Sequence, residues 1–143
     1  MTQLILSNSA VGTHACNITK RAAEKIETKY LLGKFGSSST DIEICGATDL
    51  PIGIITDEAN APAANGEKSI VNVALLGSSD TLQAVASDAI LAGKLLIPAA
   101  GGKVQGIPTT TGTYSVVGAA LTTATVPGEI IEFMSCIPQQ HAI

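Results

Sequence analysis

The sequence predicts a mainly β protein: a single compact β-barrel or β-clip-like domain with an extended N-terminal arm and little helix. Three observations predict it. Gly, Pro, Ser and Asn recur at short intervals, and apolar runs of about four to eight residues stand between them, the pattern of many short strands bounded by turns. The chain has 143 residues, the length of one ordinary domain and enough to bury a core without disulfides or metals. Hydrophobic residues make up 45%, yet the aromatic ones are only Tyr30, Phe35, Tyr114 and Phe133, with no Trp, so the core must be built from Ile, Leu, Val and Ala.

Residues 1–18 are expected to form the arm and residues 19–143 the β domain. The first dozen residues mix Ser, Asn and Gly with the small apolar cluster Leu4, Ile5 and Leu6, which suits a segment that orders against a partner. Ile18, Ala22, Ile26 and Tyr30 recur every fourth residue, a helical spacing with Thr19 available as a cap. The competing reading is two β segments split near Ala22 and Ala23, and periodicity does not choose between them. Strands are expected over residues 30–35, 41–45, 51–56, 69–76, 81–87, 94–98, 114–121 and 129–136. The strand at 69–76 is too apolar around Asn72 for an exposed edge and is expected to be central. The turn Gly77-Ser78-Ser79-Asp80 then reads as a hairpin into Thr81-Leu82-Gln83-Ala84-Val85-Ala86, with Leu82, Ala84 and Ala86 on one face. Residues 58–67, dominated by Ala, Asn, Pro and Gly, read as a flexible surface loop. Val126-Pro127-Gly128 is a turn leading into the last strand, whose apolar groups on both faces place it deep in the fold or at a subunit interface.

Charge narrows the function. Only 14% of residues are charged, against roughly a quarter in an average soluble protein, which leaves an unusually neutral surface and hints at assembly. A net charge of −4 with eight Lys and Arg argues against nucleic acid, because such binding rests on neutralising several phosphates. No run approaches the roughly 18 apolar residues of a membrane span, and the start lacks a basic, long apolar leader, so the chain is expected to be made in the cytosol and to stay off membranes.

Few residues carry chemistry. Cys16, Cys45 and Cys136 are widely spaced, without a Cys-x-x-Cys pair, and read as buried small apolar residues. His14 and His141 lie near the termini, and no motif brings either toward a carboxylate or thiol. Gly93-Lys94 and Gly102-Lys103 lack the spacing of a phosphate loop and read as turns into strands. Asp49, Asp57, Glu58, Asp80 and Asp88 suit turn capping, and only Asp57-Glu58 approaches the clustering a calcium site needs. The expectation is no enzyme, no metal and no cofactor.

The second half carries a resemblance. It reads Ala89-Ile90-Leu91-Ala92-Gly93, then Gly102-Lys103-Val104, then Val117-Gly118-Ala119-Ala120-Leu121, and closes on Gly128-Glu129-Ile130-Ile131-Glu132. In this order, over roughly residues 45–138, the chain resembles the capsid decoration, or cement, proteins of tailed bacteriophages. Read physically, Gly93 sits where the chain turns tightly after an apolar hook, and Gly118 lets another backbone approach. The resemblance implies a homo-oligomer, commonly a trimer, on the outer surface of a capsid in the virion, made in the bacterial host cytoplasm, with the major capsid protein as partner. Leu4, Ile5, Leu6, Val11 and His14 are then the expected capsid-contact residues of the arm, and Thr109-Thr110-Thr111-Gly112 a solvent-side or inter-subunit loop. Two other classes compete: another virion subunit of tail or minor capsid, and a non-catalytic ligand-binding β module, for which four scattered aromatics offer few platforms.

Overall fold

Ten strands in two sheets make up the computed structural model, which describes residues 16–78 and 80–143. The first five strands, β1 (Asn17–Ala22), β2 (Leu31–Phe35), β3 (Asp41–Ile44), β4 (Gly53–Ile55) and β5 (Ile70–Leu75), close into a barrel in the order β1-β3-β2-β4-β5. Closure comes from β1, which runs antiparallel to β5 and parallel to β3. The other five, β6 (Thr81–Val85), β7 (Leu95–Pro98), β8 (Val104–Gly106), β9 (Thr113–Ala120) and β10 (Ile130–Ala142), form a sheet in the order β6-β10-β9-β7-β8. Among the described residues, helix is confined to one 3-10 turn at Ala100–Gly102. The mainly β expectation holds, barrel included.

Side-chain alternation explains how the two sheets join. Leu31, Ile42, Ile55, Val71 and Val73 pack with Ala22 and Ile26 in one cluster, the filling of the barrel. Their chain neighbours Leu32, Ile54 and Ala74 point the other way and pack against Leu82, Ala84, Leu96, Val117, Ile131 and Phe133 of the sheet. The doublets Leu31-Leu32 and Ile54-Ile55 are therefore apolar on both faces because this barrel wall is covered on both. Phe133, fully buried, is the one aromatic ring at the centre of the shared core.

Each of the eight expected strands is present, with differences that have physical causes. The helical reading of the segment around Ile18 is overturned: Asn17–Ala22 is β1, and Ile26 makes an isolated antiparallel bridge to Ala59. A four-residue spacing also satisfies the two-residue period of a strand, and the open edge of β5 draws the segment into the barrel. β1 starts two residues inside the span read as arm. The expected hairpin between β5 and β6 does not form. Both edges of β5 are occupied by β1 and β4, so the turn after it carries the chain into the second sheet, where β6 pairs with β10. The central placement of β5 is correct. The three-residue β8 was not among the eight expected strands, although it begins where Gly102-Lys103 read as a turn into a strand, and β10 runs on to Ala142. A parallel bridge between Ala86 and Val104 brings the two edges of the second sheet together at one end, shielding edges that would otherwise invite pairing.

Candidate interaction surface

β9 and β10 build the candidate surface. Along β10, Ile131 and Phe133 point into the core while Ile130, Glu132 and Met134 point outward. Ile130 is 52% and Met134 59% exposed. Across the sheet, Met134 stands opposite Thr81 of β6 and Ala119 of β9, and Ala119 opposite Leu95 of β7, so one outward row is Thr, Met, Ala and Leu with no charge in it. This accounts for the apolar groups on both faces of the last strand. One face is core, and the other is open, with Ile130 and Met134 exposed on either side of Glu132.

The close approach of β9 and β10 depends on Gly118. A Cβ there would collide with the carbonyl oxygen of Met134 and lie 2.8 Å from the Phe133 ring, so only glycine lets the two backbones approach as they do. Just beyond, four steps of β10 from Ser135 to Gln139 oppose two steps of β9 from Gly118 to Val116, a bulge that takes up two extra residues. Pro138, without an N–H to donate, sits in this irregular stretch. The bulge shapes an outward groove of about 500 Å³, lined by Leu95, Ala119, Met134 and Cys136 with Gln139 and Gln140 at its side. Ile137, displaced by the bulge, is 69% exposed. Burial raises the Cys136 thiol pKa above its ordinary value.

A second set of exposed apolar side chains lies on two linked loops. Ile90 and Ala124 exchange backbone hydrogen bonds of 2.9 and 2.8 Å, and the Ala92 N–H donates to Thr123 Oγ1. Gly93 turns the first loop with φ of 89°, as its place after the apolar hook predicts. The second loop is braced by Glu129, whose carboxylate accepts from the Thr125 N–H at 2.6 Å, the Thr125 hydroxyl at 2.8 Å and the Val126 N–H at 2.9 Å. Led by the Val126 N–H, these donors hold the Glu129 carboxyl below its usual range. Leu91, Leu121 and Val126 project from this braced pair into solvent.

The barrel presents the opposite surface. Asp41, nearly fully buried, accepts from Lys68 Nζ at 2.6 Å and faces Arg21 Nε at 3.4 Å, and Lys68 foremost holds its carboxyl below the usual range. Lys34 bonds Asp49 at 2.9 Å and Asp49 also accepts the Gly46 N–H, so Asp49 is lowered and Lys34 raised. Lys20 lies 5.1 Å from the Phe35 ring centre.

Of the residues singled out in the sequence, Leu4, Ile5, Leu6, Val11 and His14 lie outside the described residues. His141 is exposed at the end of β10, opposite Tyr114. Cys45 is buried, its thiol pushed up to about 11 by desolvation, whereas Cys16 and Cys136 are half-buried, which corrects the reading of all three as interior. Asp49 does cap a turn, and Asp57 accepts the Asn72 N–H. Among the described residues no group of three or more His, Cys, Asp or Glu side chains is placed to hold a metal ion, and no helix is long and apolar enough to cross a membrane. Ile130, Met134, Ile137 and the loop residues Leu91, Leu121 and Val126 were not singled out. For Ile130 and Met134 the signal was the presence of apolar groups on both faces of the last strand.

Fold and surface together define a class: a two-sheet β module, charged and internally paired on one half, apolar and open on the other. No family model matches the chain, and no curated protein matches it. Among solved structures it is similar to the N base of the head fiber protein gp8.5 of bacteriophage phi29, with 20% identity and a TM-score of 0.61 over 87% of this chain and 98% of that one. At that identity the likeness establishes a shared fold.

Proposed function

We propose that the chain is a structural protein of a phage virion, and specifically that it decorates and stabilises a capsid by binding the outer surface of the major capsid protein shell. It acts as a homo-oligomer, expected to be a trimer, without catalysis or cofactor, on a virion assembled in a bacterial host. The observation that carries this reading is the segregation of large exposed apolar side chains to the second sheet and its loops, with Leu91, Leu121, Val126, Ile130, Met134, Ile137 and Ile143 on that half. Scattered apolar residues need no explanation, but a concentration on a sparsely charged half marks an association surface. The shared fold with a phage head fiber base supports the virion setting. So does the order of glycine-bounded motifs that resembles decoration proteins. The residues Leu4, Ile5, Leu6, Val11 and His14 are assigned to the shell contact. Many weak contacts repeated over a symmetric shell give high occupancy without a deep pocket.

A second reading, another virion subunit such as the base of a head fibre, is favoured by the name of the structural neighbour. Cross-linking of purified virions followed by peptide mass analysis separates the two. Linkage to the major capsid protein at many copies per particle is expected. Linkage only to a fibre or tail protein would replace the decoration role with the second reading, and absence of the chain from virions would end both.

A further inference from the structure

Beyond the bulge, β10 pairs with β9 alone: Gln139, Gln140, His141 and Ala142 stand opposite Val116, Ser115, Tyr114 and Thr113. β6, the other neighbour of β10, begins at Thr81, opposite Met134. The turn before β6 follows β10 a little further, because the Gly77 N–H donates to Ser135 Oγ at 3.0 Å and a Cβ on Gly77 would lie 2.7 Å from Ile137 Cγ1. Past Ile137, no described residue makes a backbone hydrogen bond to the outer edge of β10, and residues 139–143 are all exposed.

The ladder fixes which groups face outward there. Gly112 and Ile143 exchange both backbone hydrogen bonds, at 3.3 and 2.9 Å. Hydrogen-bonded and non-hydrogen-bonded pairs alternate along an antiparallel ladder, so His141 and Gln139 also direct their N–H and C=O groups to β9. Gln140 and Ala142 direct theirs away, two donors and two acceptors repeating every second residue. Gln140 and Ser115 are joined instead through their side chains, Nε2 to Oγ at 2.9 Å. Edge strands are commonly blunted by charge, by proline or by a cover. From Ser135 to Ile143 the chain has no Asp, Glu, Lys or Arg, and its one proline, Pro138, precedes the outward groups.

We infer that this edge pairs antiparallel with the same edge of a second copy, about a two-fold axis at His141. In that register the Gln140 N–H donates to the Ala142 carbonyl of the second copy, and the Ala142 N–H to its Gln140 carbonyl. The axis repeats both bonds, so every outward group of Gln140 and Ala142 is satisfied. Centring on Gln140 instead would set the Ala142 carbonyl against Pro138, which has no N–H to donate. The edge thus complements itself in donors, in acceptors and in lack of charge, which favours a second copy over an unrelated strand. A two-fold contact is isologous and closes on itself, so it lies outside any trimer interface and joins one oligomer to the next. This goes beyond the decoration role, and the purified chain alone tests it, so its failure leaves that role standing.

Sedimentation equilibrium over a range of concentrations compares the parent chain with Gln140→Pro and Gln140→Lys. Proline removes an N–H that β9 does not use, a change edge strands tolerate, and lysine keeps the N–H but sets like charges near the axis. The parent mass is expected to rise with concentration to twice that of either variant, and a parent mass equal to theirs throughout overturns the inference. If the masses stay equal while Gln140→Lys loses binding to capsids, the edge serves a strand of the shell and the second copy is ruled out. The register is read by oxidation in a Cys16→Ser, Cys136→Ser background, where Cys45 is fully buried. His141→Cys stands in a non-hydrogen-bonded pair whose Cα atoms lie about 4.5 Å apart, within the span of about 4.4–6.8 Å that a disulfide bridges. Air oxidation is expected to link two copies through His141→Cys and to leave Gln139→Cys, four residues from its pairing partner's equivalent, unlinked. Equal linkage at both positions, or none through His141→Cys, overturns the pairing.

Discussion

Barrel and sheet are of similar size but treat charge in opposite ways. Fourteen of the twenty charged side chains lie between Lys20 and Lys68, and six between Asp80 and Glu132. The ion pairs found among the described residues, Arg21 and Lys68 with Asp41, Lys25 with Glu27, and Lys34 with Glu43 and Asp49, belong to the barrel half. Among the described residues, the sheet half instead exposes seven large apolar side chains, against Phe35, Leu50 and Ile70 on the barrel half. Ion pairs are concentrated on one half and large exposed apolar side chains on the other, and that asymmetry is what the proposed assembly role rests on.

The largest effect should come from the place where the comparison breaks down, the core the two halves share. Phe133→Ala removes its central ring and is expected to cost about 3–5 kcal/mol, with barrel and sheet lost together in a single urea transition. Two separate transitions, or a cost below about 1 kcal/mol, would mean that the halves fold independently. Next in size is acid sensitivity. The Asp41, Asp49 and Glu129 carboxyls titrate lower in the folded chain than in the unfolded one. Their contribution is complete above the ordinary carboxylate range and is lost as pH falls below it through the lowered values. Melting temperature should therefore drop on acidification, and Asp41→Asn with Asp49→Asn should flatten that drop more than Glu129→Gln. If Glu129→Gln flattens it as much, the charge-paired character of the barrel is not what acid removes.

The smallest folding effects should fall on the open face. Ile130→Ser and Met134→Ser are expected to change monomer stability by no more than about 0.5 kcal/mol, while light scattering should show the proposed homo-oligomer weakened. Leu50→Ser and Phe35→Ser on the barrel should leave the oligomer intact. An oligomer that ignores Ile130→Ser and Met134→Ser would place its interface elsewhere.

Strand positions were readable because glycine and proline punctuate them, and Gly93 and Gly118 even declared their roles as a turn and a close approach. Two things were hidden. The spacing of Ile18, Ala22 and Ile26 fits a helix and a strand equally, and only the free edge of β5, a tertiary feature, decides for the strand. The partner of β6 was hidden for the same reason: Gly77 and its neighbours look like a hairpin turn, and nothing local reveals that β1 and β4 already occupy both edges of β5. The interaction surface was partly legible. Low charge and a last strand apolar on both faces pointed to an interface, but which side of Ile130 to Met134 is core depends on the ring of Phe133 and the register with β6.

The central claim is that the sheet half is the surface by which the chain holds a shell, and add-back to capsids assembled without the chain tests it most directly. Occupancy and the thermal resistance of the particles are compared for the parent chain, Met134→Ser with Ile130→Ser, and Leu50→Ser with Phe35→Ser. Saturable binding and raised resistance are predicted for the parent and the barrel variant, with both reduced at least about tenfold in apparent affinity, some 1.4 kcal/mol, for the sheet variant. A sheet variant that saturates and protects like the parent would contradict the account.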